Sequence, residues 1–284
     1  MVTHTVQPLA AAALLPVGSI ANRRPGEISP GAACDRGVRV ASHDIFIRSY
    51  YRDFCWLTYC LRSIATFCTG FRRIVLVVPK SDAPRLTKLD LGGVSVADCR
   101  NYEIDYLGQQ VTKIKADLFS DADYICHVDS DWIFTRPCRP ADLYVGGKLA
   151  IGMVAYTELP PTIPWKSATE KLLGHVVRHD FMRLQPYTFP RWLYPALRDD
   201  VERRHGQDVE SYILRQSPLG FSEFNALGSF AYARHHDDFA WLDIGDRGLT
   251  PPLCKCYWSW GGLSEPIRKE IEAILHPARW KQSC

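Results

Sequence analysis

The sequence predicts an α/β domain built on a central, mostly parallel sheet flanked by helices. Three observations predict it. Ile74-Val75-Leu76-Val77-Val78 is a continuous apolar, β-branched run, the pattern of a strand buried on both faces. Before it, Phe54, Leu57, Leu61, Ile64 and Cys68 recur at steps of three and four, which makes one apolar helical face. Further on, Tyr124-Ile125-Cys126-His127-Val128 is a second strand-like run, and it ends on two acids, Asp129-Ser130-Asp131.

Taken in order, a first strand is expected at Val38-Arg39-Val40-Ala41, ending in Ser42-His43-Asp44. The 54–68 helix follows and closes near Gly70, a plausible C-cap. The 74–78 strand completes a βαβ unit. Val94-Ser95-Val96 reads as a short strand. Val111, Ile114 and Leu118 then form the apolar stripe of a brief helix, with Gln110, Lys113 and Asp117 on the neighbouring face. The 124–128 strand ends a β-α-β-β-α-β series of nucleotide-binding type, residues 38–131.

The second half, 132–284, is less regular. Leu149 to Ala155 reads as a strand, and Leu159 to Trp165 as a proline-rich loop. Ser167 to Glu170 reads as a capping box opening a helix with Leu173, Val176, Val177 and Phe181 inward, which gives Glu170 a structural role. Residues 195–216 read as polar helices broken at Gly206. Phe221 to Tyr232 reads as a strand entering a helix or turn. Ser264-Glu265-Pro266 opens a last helix with Ile267, Ile271, Ile274 and Leu275 on one face.

Composition narrows the function. The chain has 284 residues, 46% apolar and 23% charged, enough for one sizeable core. A net charge of +3 is too small to imply a nucleic-acid partner. The ten cysteines include no C-x-x-C pair, and Cys254-Lys255-Cys256 is too tight for a zinc knuckle. Reduced thiols and a cytoplasmic location are expected. No apolar run reaches the roughly 18 residues of a membrane span. Residues 1–37 are expected to be a loosely ordered extension, with a targeting peptide as the lesser reading.

The acid pair carries the chemistry. In extended backbone, residues i and i+2 point to the same side, so Asp129 and Asp131 converge. Two like charges repel unless a cation or proton lies between them. A hard divalent cation, which prefers oxygen ligands, resolves this. Open α/β sheets place ligands at the carboxyl ends of their strands. By that topology Asp44, ending the first strand, is a candidate for a nucleotide base or ribose. Lys113 and Arg48 are candidate contacts to a diphosphate.

A wider pattern surrounds the pair: Gln110-x-x-Lys113-Ile114-x-Ala116-Asp117, then Asp123-Tyr124-x-x-His127-Val128-Asp129-Ser130-Asp131, then Phe134-x-x-Pro137. Gly220-Phe221-Ser222-Glu223-Phe224-Asn225 and Tyr257-Trp258-Ser259-Trp260-Gly261-Gly262 follow later. From about Val38 onward the chain resembles GT-A-fold glycosyltransferases with a D-x-D motif, of the small bacterial surface-polysaccharide kind. The resemblance implies a nucleotide-sugar donor and a glycan or lipid-linked acceptor, with peripheral contact at the inner face of a membrane open. It implies Mn²⁺ or Mg²⁺ held by Asp131, with Asp129 on the sugar or ribose and the metal. A late histidine ligand would be His235, His236 or His276, with His235 the first candidate. Glu223 would be the general base of an inverting enzyme, its pKa raised by Phe221 and Phe224. Trp258 and Trp260 are candidates to stack on the acceptor sugar, with packing of the domain as their other reading.

Two alternatives stand beside it. A haloacid-dehalogenase-type phosphatase would use Asp129 as nucleophile, but its motif opens the domain and usually has Thr or Val where this chain has Ile133. A GT-A-like protein that binds carbohydrate without turnover is the other.

Overall fold

The computed structural model describes residues 40–245 and 252–276, which belong to one compact unit. The expected N-terminal extension lies outside the described residues. The strands are β1 (His43–Arg48), β2 (Arg73–Pro79), β3 (Ser95–Cys99), β4 (Tyr124–His127), β5 (Trp132–Phe134), β6 (Tyr144–Val145), β7 (Lys148–Ala155), β8 (His179–Asp180), β9 (Tyr187–Pro190), β10 (Phe239–Asp243) and β11 (Cys254–Cys256). The helices are α1 (Phe54–Phe67), α2 (Asp105–Ile114), α3 (Trp165–Leu173), α4 (Leu193–His205), α5 (Val209–Leu214), α6 (Glu223–Arg234) and α7 (Glu265–Leu275).

The architecture is α/β with mixed sheets flanked by helices, compatible with a Rossmann-like fold. The main sheet has the order β3-β2-β1-β4-β9. Its first four strands run parallel, and β9 is antiparallel to β4. The chain therefore steps outward from β1 through β2 to β3, then returns to the other side of β1 with β4. That reversal makes the carboxyl ends of β1 and β4 a topological switch point, where such sheets bind ligands. A smaller sheet of β10-β7-β6, joined by β8, and the β11-β5 pair extend the second half. Because β9 completes the main sheet, the two sequence halves share one sheet.

β2 forms where the β-branched run predicted it, and its last five residues are buried. β1 corrects the expected 38–41 strand. Val40 and Ala41 are exposed and lie outside any strand, whereas all six residues of His43–Arg48 are buried. The run His-Asp-Ile-Phe-Ile-Arg hides its charges in ion pairs, so polarity misplaced the strand. Asp44 pairs with both Arg72 (2.7 Å) and Arg73 (3.1 Å) and accepts from the Ser120 hydroxyl (2.7 Å).

Other expectations shift. α2 ends at Ile114, so Leu118 is exposed rather than inward. α3 opens at Trp165 after Pro164, and ends at Gly174, whose φ of 66° suits the left-handed cap. Ser167 to Glu170 is therefore interior to the helix and not a capping box. Glu170 still works structurally, accepting the Val177 N–H beyond the helix end (3.1 Å). Val176 is exposed, while Val177 and Phe181 are buried beyond the helix. Phe221 to Tyr232 is not a strand leading into a helix: Glu223 already opens α6, whose residues 223–231 are buried all round. The cysteines among the described residues are free thiols. Among the described residues no helix is long and apolar enough to cross a membrane.

Candidate functional site

β1 and β4 run in parallel register, with Phe46 opposite His127. Two residues further, Arg48 ends β1 and Asp129 follows β4. Both line a cavity of about 310 Å³ at the switch point. Tyr50, Asp53, Asp105, Tyr106, Asp131 and Trp260 complete its principal walls.

The acid pair is held from two sides. Asp129 Oδ1 lies 2.7 Å from Lys113 Nζ. Asp131 Oδ2 accepts the Ser259 N–H (2.8 Å), and its carbonyl accepts the Tyr257 N–H (3.1 Å). The aromatic loop is thereby tied to the motif through its backbone, with Trp258 between those two donors at φ 54°. Burial and the neighbouring Asp129 push the Asp131 carboxyl up, against the pull of the Ser259 N–H.

A third carboxylate, Asp53, faces the pair. Burial raises its pKa to about 6; Asp131, Asp129 and Asp105 add to the rise and a Ser259 hydrogen bond opposes it. Arg48, 4 % exposed, grips Asp105 with both terminal nitrogens. Its Nε is buried without a partner. Burial opposes the Arg48 charge, but Asp105 outweighs it.

Lys113 sits behind the acid pair. It is buried, and its second contact is Glu223 Oε1 at 2.9 Å. Burial disfavours its charge, yet Asp129 and Glu223 together hold its pKa above the ordinary lysine value. Gln110, one turn earlier on the same face of α2, donates to the Phe221 carbonyl (3.0 Å) and fixes α2 against the start of α6.

The structure thus brings Asp129, Asp131, Arg48 and Trp260 to one cavity and places Lys113 directly behind it. Other expected site residues lie elsewhere. Lys113 already carries two carboxylates, so it is not a free diphosphate contact. Glu223 is 5 % exposed, is bound to Lys113 and is not among the residues lining the cavity. Asp44 lies at the opposite, amino end of β1, locked to Arg72, Arg73 and Ser120. His235 follows α6, about 18 Å along the helix from Glu223 at the usual rise. There it packs on Trp192 (4.7 Å) and faces Asp238 (3.7 Å). Trp258 is exposed and outside the cavity lining, whereas Trp260 is at its mouth.

Sequence reasoning missed Asp53, Asp105, Tyr106 and Ser259. A strand read through to Arg48 would have placed Tyr50 and Asp53 at its carboxyl end. Ser259 contributes a backbone N–H, which has no residue signature.

A family model described as "Family of unknown function (DUF6492)" matches residues 94–240, just over half of the chain. The chain belongs to this family. The DUF6492 match contains Lys113, Asp129, Asp131 and Glu223 and leaves Arg48, Asp53 and Ser259 outside it. The chain matches no curated protein.

Carboxylate oxygens are the ligand type that hard cations prefer. Asp53, Asp129 and Asp131 line the cavity, and burial, with the neighbouring carboxylates adding to it, raises the pKa values of Asp53 and Asp131. Among the described residues no group of three or more His, Cys, Asp or Glu side chains is arranged to hold a metal ion. Mg²⁺ is commonly bound through one or two carboxylates, with water and substrate phosphates completing its shell, and Asp129 and Asp131 are two carboxylates on one cavity.

Proposed function

We propose that the chain is a glycosyltransferase of GT-A type that moves a sugar from a nucleotide-diphosphate donor to a hydroxyl of a glycan or lipid-linked acceptor. One observation carries the reading: Asp129 and Asp131 leave β4 at the switch point, beside the end of β1, and face a cavity of about 310 Å³. Asp129 and Asp131 would hold Mn²⁺ or Mg²⁺, which neutralises the charge growing on a diphosphate leaving group.

The chain's own residues supply the rest. Lys113 pins Asp129, so the direction of the acid pair is set before any ligand arrives. The Ser259 N–H does the same for Asp131. Arg48 offers a buried, permanently charged guanidinium to the same cavity, and a diphosphate would compete with Asp105 for it. Asp53 faces the same space and is the carboxylate positioned to take the proton of an acceptor hydroxyl, the role first given to Glu223. Trp260 at the mouth offers a flat apolar face to a sugar ring. Work on surface polysaccharide from the cytoplasmic side, with peripheral membrane contact, is consistent with this reading.

A panel of nucleotide sugars with Mn²⁺ or Mg²⁺, followed for donor hydrolysis and for transfer, tests it. Turnover with at least one donor, dependent on the cation and lost in Asp131→Ala, is expected. Metal-dependent turnover that survives Asp131→Ala overturns it.

A further inference from the structure

A second cavity, about 250 Å³, opens beside the later turns of α6. It shares no residue with the acid-pair cavity. Ser229 and Tyr232, which line it, lie about 9 and 14 Å along the helix from Glu223. Its chemistry is the reverse of the first. His175, Arg178 and His179 line it, and no carboxylate does.

Each group has a distinct state. Arg178 is exposed and makes no ion pair among the described residues, so its charge is available. Burial, with Arg178 beside it, lowers the His179 pKa, although Asp243 and Glu158 pull the other way from outside the lining. His179 is then a neutral donor or acceptor near pH 7. The His175 ring meets the Leu173 carbonyl through Nδ1 (3.1 Å), leaving Nε2 for a ligand. Ser229, 3 % exposed, has a hydroxyl with no hydrogen-bond partner. A buried orphan hydroxyl is costly unless something completes it.

The walls are aromatic. Tyr232 and Phe181 lie with ring centroids 6.0 Å apart, and His179 is 5.1 Å from Tyr232. An apolar cavity of about 150 Å³ is enough for benzene, so this one has room for a six-membered ring and an acidic group. An isolated cation beside flat apolar faces selects an anion carried on a ring, and it favours carboxylate or another planar oxyanion through the two-pronged guanidinium geometry.

We infer that this cavity is a binding site for a compact ring-bearing carboxylate, with the acid at Arg178 and the ring against Tyr232 and Phe181. The ring is either that of an acidic sugar or that of an aromatic acid. The inference does not rest on the transferase reading, because no residue of the acid-pair cavity takes part.

Calorimetric titration of the full chain, without metal or nucleotide, tests it. Glucuronate and benzoate are the two ring carboxylates. Glucose, benzyl alcohol and inorganic phosphate are the controls. Saturable binding of glucuronate identifies a sugar acid, and of benzoate an aromatic acid; either supports the site if affinity falls about tenfold or more in Arg178→Ala. Arg178 is exposed, so this variant is expected to fold, and an unchanged melting temperature checks that. Ser229→Val should also weaken binding. No saturable binding of either carboxylate, binding unchanged in Arg178→Ala, or phosphate binding as tightly as both carboxylates overturns the inference.

Discussion

Lys113 and Asp129 form an ion pair of 2.7 Å in which the lysine is buried and the aspartate faces the cavity. The same ammonium holds Glu223 at 2.9 Å. It also lies 5.0 Å from the centroid of the Phe224 ring, within range of a cation–π contact. One side chain of α2 therefore joins the acid pair after β4 to the first residue of α6. The three charges sum to minus one, so an added cation at the acid pair meets a site that is already short of positive charge.

Removing that ammonium should be costly. Lys113→Met leaves Glu223 buried without its partner, and breaking a buried pair from one side costs about 3–5 kcal/mol. Urea unfolding should show a loss of that order. Lys113→Met/Glu223→Leu should recover part of it, because Asp129 is partly exposed and can hydrate. A double variant as unstable as the sum of the single ones would show that the two charges are not coupled.

Asp44 gives a contrasting case. Its carboxylate is fully buried, and although burial opposes its charge, hydrogen bonds from Arg72, Ser120 and Arg73 hold its pKa below the usual value. A depressed carboxylate stabilises the fold above its unfolded pKa, and that contribution disappears as pH falls through the folded pKa. Asp44→Ala should lower stability by about 1–3 kcal/mol at pH 7 and by less in strong acid. Nucleotide-sugar affinity per folded molecule should not change. A selective loss of donor binding, with stability intact, would return Asp44 to the site.

Asp131 should respond to cations. Its charge is disfavoured by burial and by Asp129, so in metal-free protein Asp131→Asn should raise the melting temperature. With Mn²⁺ and a nucleoside diphosphate the order should invert. The unaltered chain should gain about 2.7 kcal/mol at a ligand concentration near 100 times Kd, and the variant little or nothing. Equal gains in both would remove Asp131 from the cation site.

These assignments show what could be read before folding. β2 and the strand before the acid pair were legible because apolar, β-branched runs announce burial on both faces. β1 was not, because a strand that begins with His43-Asp44 and ends with Arg48 looks exposed until its partners are known. Asp44 was thereby placed at the wrong end of its strand, and Arg48 at an end that only the correct register reveals. Lys113 and Glu223 were singled out by type and neighbourhood. That they bind each other across 110 residues of chain has no local signature. α6 hid its start because burial on all sides erases helical periodicity. The site's remaining walls, Asp53 and the Ser259 N–H, come from loops that only the fold brings together.

Asp53 yields the sharpest dependence on pH. Its carboxyl titrates near pH 6 in the fold, through burial and the facing Asp131 and Asp129, against about 3.8 in the unfolded chain. The folded state thus binds this proton more tightly than the unfolded one. Stability attributable to the group falls as pH rises from about 4 to about 6, then levels off once the group is ionised in both states. Asp53→Asn abolishes that slope. With a chelator present, the variant's melting temperature should match the unaltered chain near pH 4 and exceed it increasingly up to pH 6–7. The same substitution should slow sugar transfer without weakening donor binding, whereas Glu223→Gln, once corrected for stability, should transfer at close to the normal rate. A Glu223→Gln protein that is stable but inactive, alongside an active Asp53→Asn protein, would reverse the two roles.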